Sequence, residues 1–199
     1  MNNNNNNIIT KTCNIGIFKT IQYYKEVIST QIVLKELAER GYDEGLVVVA
    51  EKQTGGYGRS GNIWSSNIGG AWFSMLLKPN IKPDDVKDLL LLLSHSIKNV
   101  IEQKYYINCE LKWPNDVIVY GKKIAGSMIE MSTNKHNRIK WLVAGVGINL
   151  NNHIPEDLIA TSIALKTILK KEINVRKFIV NFITNFTELY TQKINKERG

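Results

Sequence analysis

Between residues 109 and 146, four short runs rich in aliphatic residues follow one another with little between them, and this succession constrains the fold more than any other feature. The runs predict strands at residues 109–112, 117–120, 124–131 and 140–146, with a turn at Gly121. Strands in such close succession are typical of a meander, in which neighbouring strands pair antiparallel. This part of the chain is therefore expected to form an antiparallel portion of a sheet.

The rest of the chain alternates further strands with helices. Strands are predicted at residues 15–21, 46–50 and 71–77, and helices at residues 30–40, 84–103, 161–170 and 175–195. Grouped strands with helices inserted between and after them predict an α+β fold with a mixed, largely antiparallel sheet packed against helices.

A single domain is expected to extend from residue 15 to residue 199, because no repeat or linker divides the chain. The residues before it include an unbroken asparagine run, Asn2 to Asn7, which offers no side chain for a core. We therefore predict that residues 1–14 form a disordered, asparagine-rich tail.

The charge balance is basic, with 26 Lys and Arg against 18 Asp and Glu and a formal net charge of +8. This surplus suits an anionic partner, although lysines on solvated helix faces explain it equally well. No apolar run reaches the roughly 18 residues that span a bilayer, and a secretory signal pattern is missing, so a cytoplasmic protein without a membrane partner is expected. Two distant cysteines and three scattered histidines predict no metal site.

The first candidate for a ligand-binding element is the segment at residues 53–64, which we call the glycine–arginine loop. Its glycines allow backbone N–H groups to approach a ligand, and Arg59 offers a planar fork for carboxylate or phosphate oxygens. The segment is not a P-loop, since Gly-Lys-Ser/Thr is missing, and no helix pattern follows it as a dinucleotide fingerprint requires. A tight surface turn is the alternative that this segment alone leaves open.

The second candidate is residues 112–116, Lys-Trp-Pro-Asn-Asp, which a predicted hairpin joins to Gly-Lys-Lys-Ile-Ala-Gly at residues 121–126. Two cationic sites, a rigid Trp-Pro corner and short polar side chains fall close together there. A lysine near Arg59 would stabilise negative charge on a transferring phosphoryl or acyl-adenylate group. Taken alone, Lys112 is more simply explained as a solvated surface lysine.

The third candidate is residues 144–151, Ala-Gly-Val-Gly-Ile-Asn-Leu-Asn, at the end of a predicted strand. The paired glycines permit close approach of a flat ligand, and the amide of Asn149 can read an adenine edge with one donor and one acceptor. A turn in which asparagine tolerates left-handed geometry explains the same residues without a ligand.

Taken in order, the three candidates resemble the catalytic domain of the biotin–protein ligase family. The resemblance covers nearly all of the chain from about residue 15 and includes Ser29-Thr30 at a helix start, Gln53-Thr54 before the loop and Trp64 at its end. It implies a class II aminoacyl-tRNA-synthetase-like, biotin–lipoate ligase-like fold. It also implies a ligase that makes biotinyl-5′-AMP from biotin and ATP with Mg²⁺, and that passes biotin to a lysine of a biotin carboxyl carrier protein.

The resemblance also assigns expected roles to individual residues. Those expected to bind biotin are Ser29, Thr30, Gln31, Gln53, Tyr57, Gly58, Arg59 and Lys123. Those expected to lie at the nucleotide are Gly56, Trp64, Asn115, Gly147 and Asn149. Lys123 is the foremost catalytic candidate, and Arg59, Lys112 and Asp116 are further candidates around the reacting carboxylate and phosphate.

The chain departs from the family pattern at Tyr57, which stands in place of the first arginine of Gly-Arg-Gly-Arg. A tyrosine carries no charge, so weaker retention of the adenylate is expected. The C-terminal β-barrel common in the family and an N-terminal helix-turn-helix are both expected to be absent, so DNA binding is not expected. A homodimer formed side by side through the strand at residues 70–77 is the assembly that the resemblance suggests.

Two alternatives stay open at the level of sequence. A lipoate–protein ligase carries out the same two-step chemistry on another acid, although Trp64 and residues 112–116 and 145–149 favour biotin. A degenerate module that binds biotin or nucleic acid without turnover is the alternative from outside the enzymes, and Tyr57 keeps it open.

Overall fold

A computed structural model describes residues 8–198 and shows, within them, eight strands joined in one sheet. The strands are β1 (Ile9–Ile15), β2 (Phe18–Val27), β3 (Leu46–Gln53), β4 (Ala71–Leu77), β5 (Glu110–Lys112), β6 (Asp116–Val119), β7 (Lys122–Thr133) and β8 (Ile139–Ile148). Their order is β1-β2-β3-β4-β8-β7-β6-β5, and every neighbouring pair is antiparallel except β2 and β3. The prediction of an α+β fold with a mixed, largely antiparallel sheet is confirmed.

The described helices lie on both faces of this sheet. They are α1 (Thr30–Glu39), α2 (Val86–Tyr105), α3 (Leu165–Leu169) and α4 (Val175–Arg198). Among them, no stretch combines the length and the apolarity that a bilayer crossing requires.

Helix α1 is the crossover that makes the one parallel strand pair possible, because it connects β2 to β3. Its N-terminus is capped by Ser29, whose side chain accepts a hydrogen bond from the backbone N–H of Gln31 at 3.2 Å. Leu34 and Ala38 are buried against central strands on one face of the sheet. The N-terminus of α1 is thereby fixed above the middle of the sheet.

The opposite face of the sheet carries the larger core. Leu89, Leu93 and Ile97 of α2 are fully buried there, as are Phe178 and Phe182 of α4. The two helices pack on each other as well as on the sheet. With this face covered, the ligand site has to be sought on the α1 face.

The predicted strand at residues 15–21 is wrong at Gly16 and Ile17, which form a hairpin turn that separates β1 from β2, whereas residues 18–21 lie in β2. Gly16 has a φ of +56°, a conformation that glycine adopts without strain. The predicted disordered tail at residues 1–14 is also wrong over residues 9–14, which belong to β1 and of which residues 9–12 pair directly with β2. Residues 1–7, with the asparagine run, lie outside the described residues.

The predicted helix at residues 161–170 is wrong over its first turn, since α3 comprises only Leu165–Leu169. Residues 161–163 instead run alongside the start of β7. The N–H of Lys123 donates to the carbonyl of Thr161 at 2.8 Å, and the N–H of Ile163 donates to the carbonyl of Lys123 at 3.0 Å. These two bonds hold the backbone at Lys123 in place.

The prediction that the strand at residues 70–77 mediates a side-by-side dimer is wrong. This strand corresponds to β4, which is hydrogen-bonded to β3 on one side and to β8 on the other. Its backbone groups are therefore used within the sheet and cannot pair with a second copy. The edges of the described sheet are β1 and β5.

Candidate active site

A cleft of about 480 Å³ lies beside the N-terminus of α1, on the face of the sheet that α1 partly covers. Its walls include the glycine–arginine loop, the turn before β6, the start of β7 and the end of β8. The predicted site residues that line it are Ser29, Thr30, Gln31, Gln53, Tyr57, Gly58, Arg59, Trp64, Asn115, Asp116, Lys123, Gly147 and Asn149. The three candidate segments, which are far apart in the sequence, thus meet in one place.

Two predicted site residues do not line the cleft. Lys112 is exposed on β5, where it is the cross-strand partner of Asp116. Gly56 is buried beneath the loop, and a Cβ there would lie 2.5 Å from the Oγ of Ser66. Its carbonyl accepts a hydrogen bond from the N–H of Trp64 at 2.9 Å, so Gly56 shapes the loop.

The two cations of the cleft are held by neighbouring residues. Arg59 donates from Nη1 to the Oδ1 of Asn115 at 3.0 Å, and Lys123 forms an ion pair with the carboxylate of Asp116 at 2.7 Å. Asn115 is itself fixed, since its Nδ2 donates to the carbonyl of Ser127 at 2.7 Å. Two positive charges from separate segments therefore face the same small volume, an arrangement that can stabilise negative charge on a ligand.

A hydrogen-bonded network surrounds the start of α1. The N–H and the Oγ1 of Thr30 both donate to the Oε1 of Gln53, at 2.8 and 3.2 Å, and the Nε2 of Gln53 donates to the Oγ of Ser66 at 2.8 Å. The orientation of the Gln53 amide is therefore determined before any ligand arrives.

Gln31 contributes a wall of the cleft. Its Nε2 donates to the carbonyl of Val143 at 2.8 Å, and its Oε1 accepts from the Oγ of Ser74 at 2.9 Å. Both ends of this amide are used inside the protein. Ser74, on β4, was not among the predicted site residues.

Trp64 packs over a floor of glycines. A Cβ at Gly147 would lie 2.6 Å from the Nε1 of Trp64, and one at Gly126 would lie 3.3 Å from its Cζ3. The Nζ of Lys123 lies 5.0 Å from the centroid of the same ring, a cation–π distance. Within the described residues, the buried Nε1 of Trp64 has no hydrogen-bond partner. This N–H is packed against Gly147, so it reaches a ligand only if the indole moves.

Asn149 is buried just after β8, and its Oδ1 already accepts one hydrogen bond inside the protein. Its Oδ1 accepts from the Nδ2 of Asn152 at 3.0 Å, while the Oδ1 of Asn152 accepts from the N–H of Leu150 at 3.1 Å. Because an amide oxygen can accept two hydrogen bonds, the readout of an adenine edge by both a donor and an acceptor stays a prediction. Asn152 also lines the cleft, and no sequence signal pointed to it.

Tyr57 lines the cleft, but its hydroxyl points away to a carboxylate. The OH of Tyr57 donates to the Oε2 of Glu130 at 2.8 Å, and the Nζ of Lys35 donates to the Oε1 of Glu130 at 2.7 Å. Burial acts to raise the pKa of Glu130, but the hydrogen bonds from Lys35 and Tyr57 outweigh it and hold that pKa below its usual range. Glu130 is thus an ionised carboxylate with two donors.

Comparison with known proteins agrees with this geometry. Residues 24–149 match the model of the biotin/lipoate A/B protein ligase family. The chain belongs to this family. The bifunctional ligase/repressor BirA of Bacillus subtilis is 38% identical over 148 residues, which cover 71% of this chain and 45% of that protein. The biotin–protein ligase 2 of Arabidopsis thaliana is 30% identical over 161 residues, covering 75% and 47%.

A solved structure resembles this member of the ligase family over most of its length. The biotin protein ligase from Aquifex aeolicus in complex with biotin and ATP superposes with a TM-score of 0.77 and 32% identity, covering 88% of this chain and 72% of that one. The chain spans about half the length of the curated relatives it matches. The resemblance noted in the sequence is confirmed at the level of the family and the fold.

Proposed function

We propose that this chain activates biotin with ATP to form biotinyl-5′-AMP and then transfers the biotinyl group to a lysine of a biotin carboxyl carrier protein. One observation carries the proposal: Arg59 and Lys123 are bound to the adjacent residues Asn115 and Asp116 in the wall of one cleft. The Aquifex aeolicus relative in complex with biotin and ATP supports the choice of both substrates.

The first step joins two anions, and the cleft reduces their repulsion. An oxygen of the biotin carboxylate attacks the α-phosphorus of ATP, a phosphorus–oxygen bond forms, and the bond to the departing pyrophosphate breaks. Lys123 and Arg59 stabilise the negative charge that accumulates between the carboxylate and the α-phosphate. Positioning by a cleft whose polar groups are already oriented supplies a further part of the rate.

The second step uses the same cations. The amine of the carrier lysine attacks the carbonyl carbon of the mixed anhydride, an amide bond forms, and the carbon–oxygen bond to AMP breaks as the amine loses a proton. Lys123 and Arg59 would stabilise the phosphate charge on the departing AMP. The water-sensitive anhydride needs cover in the interval, and the glycine–arginine loop lies where it can provide that cover.

The arrangement of the cleft suggests where each substrate part binds. The oriented amide of Gln53 and the capping residue Ser29 suit the polar ureido head of biotin. The glycine floor beside Trp64, with the Asn149 amide, suits the flat adenine. Lys123 and Arg59 would then lie at the junction between the two.

Magnesium would accompany ATP as a counter-ion of the phosphates. Among the described residues that line the cleft, Asp116 is the one carboxylate. One carboxylate together with substrate phosphates and water matches the way in which Mg²⁺ is usually bound. Asp116 would hold the ion, which would neutralise phosphate charge.

Incubation with ATP, Mg²⁺ and either biotin or lipoate, followed by mass spectrometry of the small molecules, tests the proposal. We expect biotinyl-5′-AMP with biotin and no detectable lipoyl-adenylate. Lipoyl-adenylate in place of the biotin product would assign the chain to the lipoate branch of the family. Binding of biotin without either adenylate would indicate a binding module without turnover.

A further inference from the structure

The base of the glycine–arginine loop is bonded to the residues at the end of β2, from the N–H groups of Thr54 and Gly55 to the carbonyls of Val27 and Ile28. The tip of the loop is attached to the rest of the protein at fewer points. Its own backbone bonds, from the N–H of Gly58 to Asn62 and from the N–H of Trp64 to Gly56, close the loop on itself. In the part of the chain that the structure describes, the side chains at the tip, residues 57–63, reach beyond the loop through two recorded hydrogen bonds. These are Arg59 to Asn115 and Tyr57 to Glu130.

These two hydrogen bonds are expected to respond differently when a ligand binds. Arg59 and Asn115 meet at an exposed position, and Arg59 has to turn towards the anionic ligand if the proposed function is right. The bond from Tyr57 to Glu130 is partly buried, and its acceptor, Glu130, lies outside the cleft lining. It is therefore the attachment that can persist when Arg59 turns.

Glu130 can serve as an anchor because Lys35 stabilises its charge. A partly buried carboxylate is costly unless it is paired and hydrogen-bonded. Lys35 supplies the pair from α1 at 2.7 Å, and its Nζ also lies 5.8 Å from the centroid of the Tyr57 ring. Lys35 thus contacts both members of the attachment, although it does not itself line the cleft.

We propose that Tyr57, Glu130 and Lys35 form a latch that holds the glycine–arginine loop over the cleft, with Lys35 as a positioning residue that acts through Glu130. The latch joins the loop, β7 and α1. Its effect on the adenylate rests on the proposed function, whereas its effect on the loop does not. Removing a hydrogen bond to a charged group should loosen the loop without altering the cations that carry out the chemistry.

Amide hydrogen exchange of the ligand-free full chain, followed by mass spectrometry over residues 53–64, tests the latch directly. We expect Tyr57→Phe to increase exchange in this segment about tenfold and Lys35→Met about fivefold. Lys35→Arg, which keeps the charge, should stay within about twofold of the wild type. Because Lys35 acts through Glu130, the double variant should exceed Tyr57→Phe only slightly.

Lys140→Met is the matched control, since Lys140 also joins α1 to the sheet through an ion pair, with Glu39 at 3.5 Å, away from the cleft lining. It should leave exchange in residues 53–64 unchanged. Wild-type exchange in both Tyr57→Phe and Lys35→Met would overturn the latch, whether or not the chain activates biotin. Equal loosening by Lys140→Met would also overturn it.

A kinetic readout separates positioning from general destabilisation. We expect Lys35→Met, at a residue outside the cleft lining, to release biotinyl-5′-AMP about fivefold faster, while the single-turnover rate of adenylate formation at saturating biotin and ATP changes by less than about threefold. An equal fall in the rate of formation would instead show that Lys35 acts on the chemical step and contradict its role in positioning the loop.

Discussion

Lys123→Ala is expected to lower biotin-dependent pyrophosphate exchange by about 10²- to 10³-fold. The ammonium group of Lys123 is held by Asp116 at 2.7 Å and by the Trp64 ring, and its backbone is hydrogen-bonded to Thr161 and Ile163. A charge fixed in this way is already placed for the anionic transition state, so its loss removes stabilisation that water cannot replace. Incorporation of labelled pyrophosphate into ATP measures the effect.

The neighbouring lysine provides a matched control. Lys122 is half-buried like Lys123, and its Nζ donates to the carbonyl of Ile159 at 2.7 Å, outside the residues that line the cleft. Lys122→Ala removes the same charge one position away and should leave exchange within about twofold of the wild type. Equal losses in the two variants would show that overall charge matters rather than the position of Lys123.

Substitutions at two glycines of β8 are expected to affect the two substrates differently. A Cβ at Gly147 would lie 2.6 Å from the indole of Trp64, and one at Gly145 would lie 2.5 Å from the Oε1 of Gln31. Neither the Trp64 ring nor the hydrogen-bonded Gln31 amide can move aside without losing packing or hydrogen bonds. Gly147→Ala should therefore raise the KM for ATP about 10- to 100-fold, and Gly145→Ala should raise the KM for biotin by a similar factor.

Steady-state pyrophosphate exchange, with each substrate varied in turn, measures both constants for both variants. Since the substitutions are identical and only two residues apart on one strand, loss of stability should affect them alike. Each variant should change the KM of one substrate much more than that of the other. Proportional changes in both constants would contradict the assignment of adenine to Gly147 and of biotin to the Gln31 side.

The sequence predicted the inner part of the sheet because its strands bury their side chains. All residues of β4 are buried, and a run of this kind can be seen in the sequence alone. Strand β1 was missed for the opposite reason, since most of its side chains are exposed and it is held by backbone pairing with β2. A hydropathy pattern contains little information about such an edge strand.

The sequence predicted most of the residues that line the candidate site, but few of the hydrogen bonds and ion pairs that join them. The order of the motifs predicted that Arg59 and Lys123 belong to one site. In the structure they are bound to the adjacent residues Asn115 and Asp116. Lys35 gave no signal, because it contacts Glu130 across 95 positions of the chain and resembles any helix-surface lysine. Pairings of this length depend on how α1 lies on the sheet, which no local pattern encodes.

The roles of individual residues remain predictions even where their positions are known. Lys112 was expected at the phosphate but is exposed outside the cleft lining, so a role in catalysis would require the turn that follows β5 to move. Asn149 was expected to read adenine with two groups, and the structure adds that its Oδ1 already accepts one hydrogen bond from Asn152. In both cases the residue type alone does not determine which ligand contacts are possible. The exposure of Lys112 and the hydrogen bonding of Asn149 in the fold do.

A crystal structure of the chain with biotinyl-5′-AMP tests most directly the claim that one cleft holds both substrates between two cations. We expect the acyl-phosphate junction to lie within hydrogen-bonding distance of the Nζ of Lys123 and the guanidinium of Arg59, with the ureido head at the start of α1. An adenylate bound elsewhere, or a junction that neither cation reaches, would contradict the account.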